Sequence, residues 1–553
     1  MEKIKRVINK RVININWERI TKWVIENKLE AMLLGLILLL GAFSRLYKID
    51  QYMTFLGDEG RDAIIVRRLI VDFDPILIGP RTSIGDMYLG PLYYYMMAPA
   101  LTLALLSPVG PAIQMALLST LTIGFVWFVG REWFPATRSG QVNIGALIAA
   151  GLYAISPVVI THARHSWNPN IMPFFALLII YGLWRIWQQH EWLWLIVVGV
   201  SFAFVLQSHY MGLLLAPVIG FFWLLTYLNL RIKKIGNWKL SARGGSAFGG
   251  ELGKFLRNTL LAGVIFAGLM SPLVIFDARH GWRNFAAMEK FFTERQTTVS
   301  ARPWSAIPKL PQVVSLATTR LIAGKNEIVG KLSAAVLSIG VIVITTLLIF
   351  NIAVKKKLSV RFKAYFLILV WLGFAFIGLG IYKQHIYDHY YGFFFPAPFL
   401  LLGGFAESIV QGINGIGKIL VLTVLSLLVY VNLAENPLKY PPNRQMQRTI
   451  DVSEKIAQEA KRERYNLAVL AERNYEDAYQ YFLEKWREPV IDIDSLKADE
   501  TITEQLFVVC EMPKEVCDPT HGPKAEVANF GWSKIDNEWE VAGVTLYKLV
   551  HTQ

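Results

Sequence analysis

Six consecutive residues, Gly57-Asp58-Glu59-Gly60-Arg61-Asp62, concentrate groups that can do chemistry. They follow directly on the first long apolar run. Charged groups so near a bilayer are costly unless they are paired or used. If a helix begins near Gly57, Asp58 and Asp62 fall four apart on one face, with Glu59 beside them. A carboxylate placed in this way can act as a general base toward an acceptor hydroxyl. Asp58 is the expected base, and Glu59 is expected to orient it or the acceptor. Asp62 is expected to help bind substrate. A capped surface helix also favours acids in its first turn, so the string alone leaves both readings open.

A leaving phosphate needs cations or a metal to hold the charge that develops on it. Four further stretches offer such groups. Residues 79–95 contain Arg81, a candidate phosphate partner. Pro91 then suits a helix start, and Tyr93–Tyr95 suit the headgroup level. Residues 161–170 read Thr-His-Ala-Arg-His-Ser-Trp-Asn-Pro-Asn. There Arg164 offers a forked donor for phosphate. His165 and Asn168 suit a metal, a phosphate or sugar hydroxyls. His209, in Gln207-Ser208-His209-Tyr210, is a secondary candidate, because a lone histidine at a helix end is more often structural. Residues 382–391 carry Lys383, His385 and His389. Lys383 with either histidine could grip a lipid phosphate. His385 and His389, four apart, resemble a metal pair, but no third ligand lies nearby in sequence. A divalent metal is therefore an option that the sequence does not require. Residues 277–327, with Asp277, Arg279, His280, Trp282 and Arg283, are expected to lie over the membrane surface as part of a lid. Each stretch also has a plain structural reading, as a turn or an interface helix.

These groups must be positioned by helices in a membrane. The chain has 553 residues, is 54% hydrophobic and has a mean hydropathy of +0.38. A soluble globular protein is usually less apolar. About eleven runs approach the length that spans a bilayer: 31–47, 111–130, 143–161, 171–187, 192–207, 211–230, 258–276, 328–353, 364–381, 391–410 and 417–433. The fold class is thus an α-helical polytopic membrane protein. Its parts are a cytoplasmic leader (1–30), a transmembrane body (31–433) with a long first outer loop (48–110), and a C-terminal part (434–553). The leader holds eight basic residues and no small-residue cleavage site follows the apolar run, so it reads as retained.

The net charge of +14 does not indicate nucleic acid. The basic residues fall mainly in loops between apolar runs, as the positive-inside rule explains. That rule also orients the chain. With the N-terminus inside and 91–107 lying at the outer surface without spanning, loops 231–257 and 354–363 fall inside. The first carries seven basic residues against Glu251, and the second carries five and no acid. The carboxylate, histidine and Trp-Asn clusters then share the outer face with the C-terminal part.

That C-terminal part is different in kind. Residues 443–463 read as a charged helix, 465–471 as a strand, 475–486 as an amphipathic helix, and 489–494, 505–510 and 545–549 as strands. The alternation predicts a small α/β domain outside the cell. Cys510 and Cys517, the chain's two cysteines, fit either a local disulfide or two thiols. The Gly-rich stretch 242–250 follows no strand and reads as linker.

Taken together, the Asp-Glu pair after the first span, the Leu89-Gly90-Pro91-Leu92 element and the Ala163-Arg164 turn resemble the GT-C membrane glycosyltransferases. Within these they resemble the bacterial protein-O-mannosyltransferase and aminoarabinose-transferase branch. The resemblance covers residues 31–433. It implies that a polyprenyl-phosphate-sugar donor and an extracytoplasmic acceptor (protein, lipid or glycan) meet at the outer membrane face, with Asp58-Glu59 as the catalytic pair. The chain departs from the family's His-Pro-Pro-Leu and Ser-Arg elements, which leaves the phosphate contacts open. The competing reading is a transporter or lipid flippase. Transporters place ionisable groups near mid-membrane and often contain repeats. Here the charges gather at one face and no repeat is visible. A scaffold role would leave the acidic cluster unexplained.

Overall fold

The structure, a computed structural model, describes residues 17–82, 87–137, 141–238, 250–293, 298–300, 302–354, 358–413 and 415–552. Most of the basic leader and the lysines at 355–357 lie outside these residues. So does most of the Gly-rich stretch.

Among the described residues, eight helices are long and apolar enough to cross a membrane. They are Lys28–Leu46, Val109–Trp133, Asn168–Gln189, Tyr210–Ile232, Glu251–Arg279, Glu327–Ala353, Val360–Ile381 and Ile416–Ala434. The protein is a multi-pass membrane protein. The run expected at 391–410 is a bent pair, Asp388–Phe394 and Pro396–Gly412, meeting at 58°. Two other expected spans are shorter helices. Trp194–Ser208 is one. The run 143–161 breaks into Ile144–Ile155 and Pro157–His162. Pro157 causes the break: it lacks an N–H, and it holds Ser156 extended at ψ 121°. The Ser156 hydroxyl donates to the Leu321 carbonyl at 2.7 Å. The segment around 91–107 forms Leu92–Leu103, 12 residues long. That is about 18 Å of helix, too short to cross on its own.

Buried polar groups clamp the helices together. Glu30 accepts from Trp127, Arg131 and the Asn143 N–H. Fully buried Arg45 donates to Ser119 and to the carbonyls of Gly41 and Ala154. Such charges persist in an apolar body because each finds several partners.

The C-terminal part folds around a four-stranded sheet. Its strands are β1 (Asn466–Leu470), β2 (Gln505–Cys510), β3 (Ser533–Val541) and β4 (Val544–His551), in the order β1-β2-β4-β3. β1 and β2 are parallel, and the other pairs are antiparallel. β1 and β2 are buried throughout, as their unbroken apolar runs predict. Two expectations change. Residues 489–494 form no strand: only Val490 makes a bridge, to Tyr465. β3, with its largely polar and exposed sequence, is an edge strand that apolar alternation does not reveal. Cys510 and Cys517 form a disulfide.

Candidate active site

The acidic string does open a helix, Gly57–Val71. Glu59 closes its first turn by accepting from the Leu56 N–H at 3.0 Å. The helix lies against Asp477–Lys485 of the C-terminal domain, and two glycines permit the approach. A Cβ on Gly60 would lie 2.4 Å from the Ala478 backbone nitrogen. A Cβ on Gly57 would lie 2.5 Å from the Tyr475 ring.

The three carboxylates occupy different environments. Asp58 is outermost, its side chain 43% exposed. Its Oδ1 accepts from Arg61 Nη1 at 2.8 Å and from the Tyr475 hydroxyl at 2.5 Å. Asp62 is fully buried. Its Oδ1 accepts from Arg61 Nη2 at 2.8 Å and from the Tyr94 hydroxyl at 2.9 Å. Oδ2 of Asp62 has no partner among the described residues. Burial pushes the Asp62 carboxyl above its ordinary range, against the opposing pull of Arg61. Glu59 points inward and is buried. Burial pushes its carboxyl up to about 8, and the charges of Asp58 and Asp62 add to the rise. At neutral pH Glu59 is therefore mostly protonated, while Asp58 sits in the polar, half-open position that suits a base. Arg61 ties Asp58 to Asp62 as a rigid fork.

Arg61 also lines an open cleft of about 460 Å³. Arg68 and Arg81 line it too. Its apolar wall includes Ile65, Ile76, Ile78 and Phe276, the last near the end of the candidate span Glu251–Arg279. Beside it, residues 79–82 pair with residues 87–89, with Arg81 bridged to Tyr88. Asn284 clasps Tyr88 of that pairing: its Oδ1 accepts from Tyr88 N at 2.7 Å and its Nδ2 donates to Tyr88 O at 3.2 Å. Arg68 is itself held by Glu484 of the C-terminal domain at 2.6 Å.

Three of the predicted histidines, His165, His209 and His389, gather with His162 into a second cluster. His165 Nε2 lies 3.7 Å from Glu59 Oε1, longer than a hydrogen bond. Burial pushes the His165 imidazole down to about 3, with His162 adding to the fall. His389 packs against Trp167 at 4.5 Å, Tyr390 at 4.6 Å and His209 at 5.3 Å between ring centres. His209 Nδ1 accepts from Met211 N at 3.2 Å, and burial holds this imidazole down at about 3. Arg320 fixes the neighbouring Asp388 through two bonds, at 2.6 and 2.5 Å.

Other predicted residues have partners elsewhere in the fold. Arg164 donates to the carbonyls of Ser44 at 2.5 Å and Tyr47 at 2.7 Å, and its guanidinium lies over Tyr52. It caps the C-terminal end of the first span. Asn168 Nδ2 donates to the Ser208 carbonyl at 2.5 Å, which joins two turns. The Lys383 backbone pairs with Thr298, where the 277–327 segment crosses. His385 packs on Tyr387 at 4.5 Å. Among the described residues, no three His, Cys, Asp or Glu side chains are placed to hold a metal.

Arg61 was visible in the motif as a charge, but its bridging role was not. Tyr94, Asn474 and Tyr475 carried no sequence signal of function. The two tyrosines sit in ordinary aromatic contexts, and Asn474-Tyr475 lies over 400 positions from its partners.

Residues 89–242 match the family model of dolichyl-phosphate-mannose-protein mannosyltransferases. A comparison with curated protein sequences gives no match. Two crystal structures of ArnT from Cupriavidus metallidurans resemble this chain, one in the apo state and one bound to undecaprenyl phosphate. Each has a TM-score of 0.54 at 13% identity, over 96% of this chain and 98% of that one. The chain has the GT-C fold. The likeness runs through both the membrane body and the C-terminal domain, since it covers nearly all of both chains. Within this GT-C fold the acidic helix lies between the two parts and touches each.

Proposed function

We propose that this protein is a membrane glycosyltransferase that moves a sugar from a polyprenyl-phosphate-linked donor to an acceptor outside the cytoplasm. One observation carries the reading. Arg61 joins the Asp58 carboxylate to a cleft that also presents Arg81 and an apolar wall. A polar head and a polyisoprenoid tail need that combination side by side. The family model's dolichyl-phosphate-mannose and the undecaprenyl phosphate held by ArnT favour the same donor class. The distribution of basic loops supports the outer face for the site.

In this reading the acceptor oxygen attacks the anomeric carbon on the face opposite the phosphate. Its proton passes to Asp58. The bond from the anomeric carbon to the phosphate oxygen breaks, and its electron pair leaves with the lipid phosphate. Arg81 holds that charge, while Arg61 fixes Asp58 between the cleft and Asp62. The configuration inverts. Glu59, protonated and buried, orients the turn that presents Asp58. The expected outcome for purified, folded Asp58→Asn is a loss of turnover of polyprenyl-phosphate sugars of about 100-fold or more. Full activity in that variant removes Asp58 as the base.

A further inference from the structure

Among the side chains that the C-terminal domain sets against the acidic helix, Tyr475 reaches the carboxylate of Asp58. Its ring lies flat on Gly57. Its hydroxyl donates to Asp58 Oδ1 at 2.5 Å, and Arg61 Nη1 reaches that hydroxyl at 3.3 Å and the same Oδ1 at 2.8 Å. The tyrosine is held by its own domain. Asn474 Oδ1 accepts from Tyr475 N at 2.9 Å and from Gly57 N at 2.8 Å. Asn474 Nδ2 donates to Glu511 at 2.7 Å, and Glu511 also accepts from Tyr479 at 2.5 Å. The ring on Gly57 and the Asn474 cap join the domain to the helix backbone. The hydroxyl, by contrast, is aimed at a side chain, the most exposed carboxylate of the three. Asp58 has two single-bond torsions, and a half-exposed aspartate held on one side only would swing. Two donors on Oδ1, one from each part of the molecule, fix the plane of the carboxylate and leave Oδ2 open.

We propose that Tyr475 is a positioning residue for the transfer reaction, acting through Asp58: it pins Oδ1 so that Oδ2 faces the acceptor hydroxyl. The inference rests on Asp58 being the base. It makes the C-terminal domain part of the catalytic apparatus. Pre-organisation of this kind acts on the chemical step and leaves donor binding alone.

The test uses the full-length protein and the polyprenyl-phosphate sugar that the unaltered protein turns over. Tyr475→Phe removes one oxygen and keeps the ring on Gly57. Its kcat is expected to fall about tenfold, with KM within about twofold and thermal stability unchanged. Asn474→Ala serves as the structural control. It is expected to lower stability, with a smaller effect on kcat than Tyr475→Phe. The inference is overturned if Tyr475→Phe matches the parent while Tyr475→Ala is impaired, because the ring alone then matters. It is equally overturned if Tyr475→Phe changes KM and stability together with kcat. Asp58→Asn separates the two claims. If that variant stays active, the assignment of the base fails whatever Tyr475 does. If it is inactive and Tyr475→Phe is unimpaired, only the positioning role fails.

Discussion

The acidic helix and the imidazole cluster touch at Glu59 and His165, 3.7 Å apart, yet they are built on opposite principles. On the acidic helix, charge is met by charge: Arg61 spans Asp58 and Asp62, and Arg68 meets Glu484. The helix borders an open cleft. In the cluster, His162, His165, His209 and His389 meet mainly one another and Trp167, Tyr387 and Tyr390. Burial keeps the imidazoles of His165 and His209 neutral. A dense run of histidine and tryptophan in a sequence can thus be a packing solution for the end of a helix bundle. A short run of opposite charges beside an opening is better suited to move protons.

Glu59 sits on the border, and its behaviour gives the largest test. Its folded-state value of about 8 lies above the ordinary 4.5. Between those values the folded protein holds a proton that the unfolded chain has lost. The stability from this group is full below about pH 4.5 and is lost as pH rises through about 8. Glu59→Gln should remove a decline on the order of a few kcal/mol across that window, measured as thermal stability from pH 5 to 9. If Glu59 belonged with the charged set, the parent would show no such decline. Gly60→Val comes next. It drives a side chain into the Ala478 backbone and should cost about 1–3 kcal/mol, read by thermal unfolding. A neutral result would mean that the helix and the domain do not meet closely. The smallest effects contrast the two clusters directly. Arg81→Ala should raise KM for the lipid donor about tenfold, whereas His389→Phe, which keeps a ring in place, should leave turnover within about threefold. Equal effects would erase the distinction between cleft and cluster.

The apolar runs were readable because twenty consecutive apolar residues have few other uses. What hydropathy could not show was where a run breaks, as at Pro157 and before Pro396, since mean apolarity is blind to a missing N–H. The helix start at Gly57 was also readable, from the acids in its first turn. Its two glycines were not: composition cannot tell a flexible glycine from one that admits a neighbouring backbone. Arg164 shows a related limit. An arginine beside a turn offers its fork to a phosphate or to carbonyls alike, and the sequence does not show the path of the chain that brings the Ser44 and Tyr47 carbonyls to it. The tyrosine bound to Asp58 was out of reach for a simpler reason, because no local pattern links positions 58 and 475.

That separation has a consequence for how the protein is made. The bond between Tyr475 and Asp58 closes across 417 positions. A chain emerging from the ribosome N-terminus first presents its acidic helix early, while Tyr475 is still to be synthesised. Every nascent or truncated chain ending before that residue carries the carboxylates without their clasp. A later-translated stretch of the polypeptide therefore closes the site that an earlier one began.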